Sequence, residues 1–188
     1  MPILTAETDL FPDELLEEEY QLLRPESHWW VLYTRSRREK ELMRRLESLE
    51  VPFYGPMVEK RFRTPAGRAM RSQLPLFANY VFMFADPEQR YSALTTNCVS
   101  RDIPVVHGVE LLNDLRQLRR LIATGMPLQH ENTLGVGTPV RVCTGPLAGQ
   151  EGIVLQCRGN RRLLVGVRFL QQGASVQIDE CELERLAD

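Results

Sequence analysis

The sequence has no long apolar run and no paired cysteine motif. Its 188 residues include 4 cysteines, which are far apart, and 3 histidines, which fall at no metal-ligand spacing. No segment approaches the roughly 20 apolar residues that a membrane helix needs, and the acidic start is unlike a secretory signal. These absences predict a cytoplasmic protein with reduced thiols, no membrane partner, no metal and no cofactor.

Catalytic signatures are also missing. The chain lacks G-x-S-x-G and H-E-x-x-H, and no cysteine is accompanied by a plausible base. Because nothing meets the requirements of a nucleophile with its base, or of a metal centre, the sequence predicts a protein that is not an enzyme.

Charge is divided unevenly along the chain. Residues 1–27 contain eight acidic residues and one arginine, whereas residues 28–73 contain eleven Lys or Arg and five acidic residues. The first segment predicts an acidic leader, mobile and with at most a short helix. The basic segment is typical of a surface that contacts nucleic acid, although a solvated helix face gives similar counts.

Residues 28–125 predict one domain in which strands and helices alternate. "HWWVLYT" is typical of a strand, and a capping box of Ser36 and Glu39 predicts the start of the helix that follows. A basic β-hairpin, an apolar strand, a helix capped by Asp86, the short strand "IPVVHG" and a leucine-patterned helix come next. We expect an α+β fold, with helices on a mainly antiparallel sheet.

Residues 126–137 are polar and rich in Gly and Pro, which predicts a linker. Residues 138–188 contain short β runs separated by turns, which predicts a small β-barrel. Its valines and glycines favour strand over helix, so we expect a permanent barrel.

A glycine-rich stretch, "VRVCTGPLAGQEGIVLQ", raises the question of a phosphate loop. Its glycines, Gly145, Gly149 and Gly152, have the wrong spacing for one, no lysine follows, and the next element is a strand. The stretch therefore predicts a tight bend between two strands, in which glycine permits a positive φ.

Together these segments resemble the NusG family of transcription factors over about residues 28–188. "VRVCTGPLAGQEGIV" is similar to the KOW motif of SH3-like barrels, while "HWWVLYTRSRREKELMRRLESLEVPFYGPM" and "LPLFANYVFMFADPE" resemble the amino-terminal NGN domain. The second of these is similar to specialised paralogues of the RfaH, UpxY and LoaP kind. The resemblance implies an NGN domain over 28–125 and a KOW domain over 138–188.

The resemblance also implies function and contact residues. It implies an elongation or antitermination factor, a monomer, whose NGN domain binds the clamp helices of RNA polymerase through Tyr33, Leu74, Phe77 and Phe82. The positions that match the non-template DNA contact of RfaH-type proteins are Arg35, Ser36, Arg37, Arg38, Thr95, Thr96 and Asn97. The His-Thr-Thr run for a second polymerase contact is replaced by Ser92, Ala93 and Leu94.

Partners of the C-terminal domain stay open. In the family the KOW domain recruits the termination factor Rho or a ribosomal protein, and the strands do not distinguish them. Two other functions remain: a general NusG factor that acts with Rho in termination, and a KOW-bearing RNA-binding protein of ribosome assembly that holds RNA with its basic residues.

Overall fold

A computed structural model describes residues 8–63, 65, 67, 69–135, 137–157, 160–178 and 183–186. The chain divides into two compact units, Met1–Gly108 and Val109–Asp188. Within the ranges described, no helix is long and apolar enough to cross a membrane.

The first unit contains a five-stranded antiparallel sheet in the order β1-β3-β6-β2-β7 and a separate two-stranded hairpin, β4–β5. The strands are β1 (Leu10–Phe11), β2 (His28–Thr34), β3 (Phe53–Tyr54), β4 (Met57–Arg63), β5 (Ala69–Pro75), β6 (Tyr80–Ala85) and β7 (Val99–Pro104). The helices are α1 (Glu18–Leu22), α2 (Glu39–Ser48) and α3 (Pro87–Thr95). The predicted antiparallel sheet with helices is confirmed. Strand β7 begins four residues before the predicted one at Ile103.

Helices α2 and α3 contribute to the core on one face of the sheet. Leu42 and Leu46 of α2 lie one helical turn apart, so both reach the same apolar cluster. Leu32 of β2 and Met83 of β6 belong to that cluster and are fully buried. This packing fixes where the turn before α2 lies relative to the end of β2.

The predicted capping box at the start of α2 is wrong. The helix begins at Glu39 and no side chain caps it. Arg37 has a φ of 60°, so a left-handed turn precedes the helix and moves Ser36 out of the capping position. The cap predicted for α3 is confirmed: the Asp86 side chain accepts the backbone N–H of Gln89, and Pro87 is the first helical residue.

Residues 8–27 pack on the first unit and contribute the short strand β1 to its sheet, whereas the sequence predicted a leader without a strand. Strand β1 pairs with β3, with Leu10 opposite Tyr54. Leu15 and Leu16 are buried, at 0% and 5% exposure. The Gln21 side chain accepts a hydrogen bond from the Trp29 indole at 3.1 Å. The apolar residues are scattered among acids without a helix or strand period, which is why the sequence pattern did not indicate them.

The second unit combines most of one helix with a six-stranded antiparallel sheet in the order β13-β9-β10-β11-β12-β8. Its elements are α4 (Gly108–Ala123), β8 (Gln129–Glu131), β9 (Thr138–Val142), β10 (Glu151–Cys157), β11 (Asn160–Val167), β12 (Gln172–Ile178) and β13 (Leu183–Arg185). The predicted all-β C-terminal region is confirmed. The division falls after the first residue of α4, a helix that we assigned to the first domain, and β8 lies in the assigned linker. The domain bounds stay a prediction.

Polar contacts join α4 to residues that flank β10 and β11 in the second unit. The carboxylate of Asp114 accepts the Arg168 backbone N–H at 2.9 Å and the guanidinium at 3.0 Å. This bonding raises the pKa of Arg168 above its usual value. Gln150 donates its side-chain amide to the Gln117 carbonyl oxygen at 2.7 Å. Helix α4 is therefore a part of this unit's packing.

The glycine stretch forms a bend between β9 and β10. Gly145 and Gly149 have φ values of 85° and 81°, which favour glycine. Gly152 lies on β10 where an added Cβ would come within 2.4 Å of the Leu164 carbonyl oxygen. The stretch thus joins antiparallel strands.

Replacing Leu15 tests whether residues 8–27 belong to the fold. Leu15→Ala removes a fully buried side chain, so we expect the free energy of unfolding to fall by about 2–5 kcal/mol in chemical denaturation. Leu22→Ala is the matched control, because Leu22 is 79% exposed and its loss should change stability by at most about 0.5 kcal/mol. Equal effects of the two substitutions would mean that Leu15 does not pack as described.

Candidate nucleic-acid interface

Two segments that are far apart in sequence meet at one end of the first sheet. The backbone N–H of Arg35, just after β2, donates to the Cys98 carbonyl oxygen, just before β7, at 2.8 Å. The Arg45 guanidinium of α2 donates to the Thr96 carbonyl oxygen at 3.0 Å. The fold therefore brings the arginine-rich turn beside the loop that follows α3.

Most of the predicted nucleic-acid residues are exposed there. Thr96 is the exception: it is 5% exposed, its hydroxyl donates to the Ala93 carbonyl oxygen at 2.7 Å, and it accepts from the Cys98 N–H. Thr96 stabilises the loop and has no free hydroxyl to offer a base. We call the remaining set the Arg35–Asn97 surface; its exposed members are Arg35, Ser36, Arg37, Arg38, Thr95 and Asn97.

Left-handed backbone turns present this surface. Arg37 and Asn97 both have a φ of 60°, a conformation that non-glycine residues rarely adopt and that asparagine adopts more readily than arginine. Such turns at two adjoining loops are typical of sites where the surrounding structure imposes the backbone.

A buried carboxylate ties the arginine turn to the turn before β6. Glu39 is 7% exposed, and its carboxylate accepts the backbone N–H of Asn79 at 2.7 Å. The Asn79 carbonyl oxygen in turn accepts the N–H of Thr34 at 2.8 Å. Glu39 therefore positions the start of α2 relative to the ends of β2 and β6.

Glu41 moderates the positive charge of the surface. Its carboxylate accepts hydrogen bonds from the guanidinium groups of Arg38 and, at 2.7 Å, of Arg45. The bond from Arg38, followed by that from Arg45, lowers the pKa of Glu41, and the same contact raises the pKa of Arg38. Glu41 thus stays ionised at neutral pH and partly neutralises two cations beside the surface.

The residues predicted to contact the polymerase clamp differ in exposure. Tyr33 is partly exposed, and Leu74, on the hairpin, is 40% exposed. Phe77 and Phe82 are fully buried and pack edge to face, with ring centroids 6.3 Å apart. Of these four residues, Tyr33 and Leu74 are exposed enough to contact a partner, whereas Phe77 and Phe82 are not.

Arg101 also belongs to this region, although the sequence did not predict it as a contact residue. The sheet places Tyr80, Tyr33 and Arg101 directly opposite one another on three neighbouring strands, so they share a face. Arg101 is exposed, and the Tyr33 and Tyr80 rings are 5.2 Å apart. Only the register of β7 on β2 brings Arg101 here, because its sequence neighbours carry no motif.

The described residues offer no metal site: no group of three or more His, Cys, Asp or Glu side chains lies close enough together among them. Two cysteines in these ranges are free thiols, Cys98, which is buried, and Cys143, which is exposed.

Substitution of Glu39 tests its positioning role. Glu39→Ala leaves the partly buried Asn79 N–H without its acceptor, so the free energy of unfolding should fall by about 1 kcal/mol, and amide exchange at Asn79 should accelerate. Glu39→Gln keeps a carbonyl acceptor and should lose less. If both variants exchange at the wild-type rate, the hydrogen bond does not hold the turn.

Comparison with known proteins gives a family match that covers most of the first unit and the first half of α4. Residues 27–116, which are 90 of the 188 residues, match the family described as "Transcription termination factor nusG". A solved structure titled "Domain interaction in Thermotoga maritima NusG" is similar at 17% identity and a TM-score of 0.43, covering 86% of this chain and 98% of that one. A search of curated protein sequences gives no match.

The match begins one residue before β2 and spans the strands and loops of the Arg35–Asn97 surface. Because this family consists of transcription factors, the prediction that the chain is not an enzyme is confirmed. Over residues 27–116, slightly under half of its length, the chain is similar to the NusG family of transcription factors.

Proposed function

We propose that this protein is an elongation and antitermination factor of the specialised NusG type. It binds the clamp helices of RNA polymerase through the first unit, contacts the non-template DNA strand through the Arg35–Asn97 surface, and acts as a cytoplasmic monomer. The observation that carries the proposal is the junction of the arginine turn and the post-α3 loop, held by the Arg35–Cys98 and Arg45–Thr96 hydrogen bonds.

The chemistry of the Arg35–Asn97 surface suits a single DNA strand. Arginine attracts phosphate and can donate two hydrogen bonds to guanine, while exposed Thr and Asn side chains can bond base edges. Arg35 and Asn97 flank the backbone contact that joins the two segments, so a strand lying across the junction would meet cations on one side and polar groups on the other.

The clamp contact is proposed for the neighbouring end of the sheet. Tyr33 lies two residues before Arg35 and shares its face of the sheet with Tyr80 and Arg101. A polymerase element bound there would place the DNA-binding turn beside the transcription bubble. Binding energy directed at one clamp conformation shifts the polymerase population away from the paused state.

The second polymerase contact has little support at the expected place. Ala93 is fully buried, Leu94 packs on the core, and the Ser92 hydroxyl donates to the Glu88 carbonyl oxygen at 3.1 Å. We therefore propose binding through the clamp and the DNA strand. The second unit recruits a further protein, with a ribosomal protein and Rho as the two candidates.

A pausing assay tests the proposed function. The wild-type protein should shorten polymerase pauses on a template with its own operon leader, and Arg35→Ala with Arg38→Ala should weaken this effect. The slope of log affinity for the non-template strand against log salt should fall by about one unit per lost phosphate contact. Unchanged pausing on every template would contradict the proposal.

Glu41→Gln is expected to act in the opposite direction. Removing this carboxylate frees Arg38 and Arg45 from their partner, so affinity for a single-stranded DNA probe should rise severalfold, with a steeper salt slope. Glu88→Gln, at an exposed acid in the first turn of α3, is the control for loss of a negative charge alone. Equal gains from both variants would assign the effect to net charge.

Termination is the second candidate function, because the matching family is described as a transcription termination factor. Full-length protein that retains purified Rho in a pull-down and increases Rho-dependent termination would favour it. Retention of a ribosomal protein without Rho would favour antitermination.

A further inference from the structure

Helix α1 packs on the first sheet through one of its sides. The Tyr20 ring lies 6.4 Å from that of Phe84, and the Gln21 side chain accepts the indole N–H of Trp29 at 3.1 Å. The helix ends at Leu22, before the family match begins at residue 27. The outer side of α1 is therefore a feature for which the family match does not account.

Helix α1 lies over the face of the sheet opposite to α2. Met83 and Phe84 are neighbours on β6, so their side chains point to opposite faces. Met83 belongs to the cluster that α2 covers, whereas the Phe84 ring lies beside those of Tyr20 and Trp29. A substitution at the end of α2 can therefore serve as a control for one on α1.

Helical geometry assigns four residues to the outer side of α1. At about 100° per residue, positions 18, 19, 22 and 23 lie away from the side formed by Tyr20 and Gln21. The Leu23 backbone still has right-handed helical geometry, so the pattern continues to it. All four residues are exposed, the two leucines at 79% each. We call this set the acid–leucine face; its members are Glu18, Glu19, Leu22 and Leu23.

The two exposed leucines are the apolar part of this face. Single apolar side chains at a surface are common, but adjoining ones mark contact sites. Leu15 and Leu16 of the same segment are buried, so the segment packs on the sheet without Leu22 and Leu23. Covering these two leucines with a partner would remove apolar area from water, which is a source of binding energy.

Acidic side chains determine which molecules can approach the leucines. Residues 8–27 contain seven acids and one arginine, which gives a formal charge of -6. The Arg24 guanidinium lies 3.8 Å from the centre of the Tyr20 ring, towards the inner side of α1. Glu18 and Glu19 precede the leucines by one helical turn. Nucleic acids and anionic lipids are repelled by such a surface, so charge complementarity indicates a cationic protein segment.

The structure of α1 also indicates the form of that segment. A strand would need an unpaired sheet edge to bind, whereas a helix bonds its own backbone and offers side chains. An amphipathic helix has apolar side chains three and four residues apart, with charged ones beside them. Such a helix can cover both leucines and place cations next to the acids.

We propose that the acid–leucine face docks a basic amphipathic helix of another protein. Apolar side chains of that helix cover Leu22 and Leu23, and its Lys or Arg side chains meet Glu18 and Glu19. Because only about two helical turns of α1 take part, the complex is small and transient. The Arg35–Asn97 surface is not involved, so the inference stands or fails independently of the proposed function.

The test measures binding of the full-length protein to a fluorescent model peptide of about 18 residues, a length that favours helix. The peptide has leucines on one helical face and lysines on the other. Leu22→Ser with Leu23→Ser should weaken binding about tenfold or more. Leu49→Ser is the matched control, because Leu49 is a 46% exposed leucine at the end of α2. It should leave the affinity unchanged.

A second pair of variants tests the acids. Glu19→Gln should weaken binding of the same peptide severalfold and make the affinity less dependent on salt. Glu88→Gln, at an exposed acid in the first turn of α3, removes one negative charge elsewhere. Equal losses from Glu19→Gln and Glu88→Gln would assign the effect to net charge and contradict the proposal.

Probes of other chemistry complete the test. Peptides with glutamate in place of lysine, or serine in place of leucine, should bind far more weakly. Equal losses from Leu49→Ser and the double leucine variant, or equal binding of the serine peptide, would overturn the proposal. It also fails if the double leucine variant binds the peptide normally but loses self-association or binding to phosphatidylcholine vesicles. Unchanged thermal melting verifies that the variants are folded.

Discussion

Pairing of β2 with both β6 and β7 is the constraint on which the functional surface depends. β2 is the only strand whose end leads into the arginine turn, and its register sets Tyr33 opposite Tyr80 and Arg101. The same pairing brings Cys98 to the Arg35 N–H. A shift by one residue would turn Tyr33 and Val31 to the helix-covered face. Burial of Leu32 in the helix-covered cluster therefore also specifies which residues form the Arg35–Asn97 surface.

In the first unit, cationic side chains are paired with acidic side chains close by. The net charge of -2 for the whole chain therefore says little about binding to a polyanion. Beside the Arg35–Asn97 surface, Glu41 forms ion pairs with two arginines, whereas on the hairpin β4–β5 Glu59 is paired with Arg71 over a longer distance. The acids of α1 lie on the segment that pairs through Gln21 with Trp29. Each cationic surface thus has its own local counter-charge, and exposed pairs of this kind yield readily to a polyanion.

Much of the fold could be predicted from the sequence because local signals agree with the tertiary structure. Four features were predicted in this way: strand β2, the hairpin β4–β5, the start of α3 at Asp86 and Pro87, and the glycine bend between β9 and β10. Other features depend on long-range contacts. The sequence places Glu39 in a capping box with Ser36. Because Arg37 has a left-handed backbone, the carboxylate of Glu39 instead accepts the N–H of Asn79. Arg101 reaches its position only through strand pairing, and Leu15 is buried only through tertiary packing. The hydroxyl of Thr96, which we predicted to contact nucleic acid, is taken up by a local hydrogen bond.

The placement of α4 affects how the protein can be divided into fragments. Five leucines of this helix, Leu111, Leu112, Leu115, Leu118 and Leu121, are buried, and Asp114 and Gln117 bond to residues of the second unit. A C-terminal fragment starting near residue 126 would lack these partners and leave the Arg168 N–H without its acceptor. A fragment of the second unit would therefore give a more soluble and better dispersed NMR sample if the cut preceded Gly108 rather than followed Ala123.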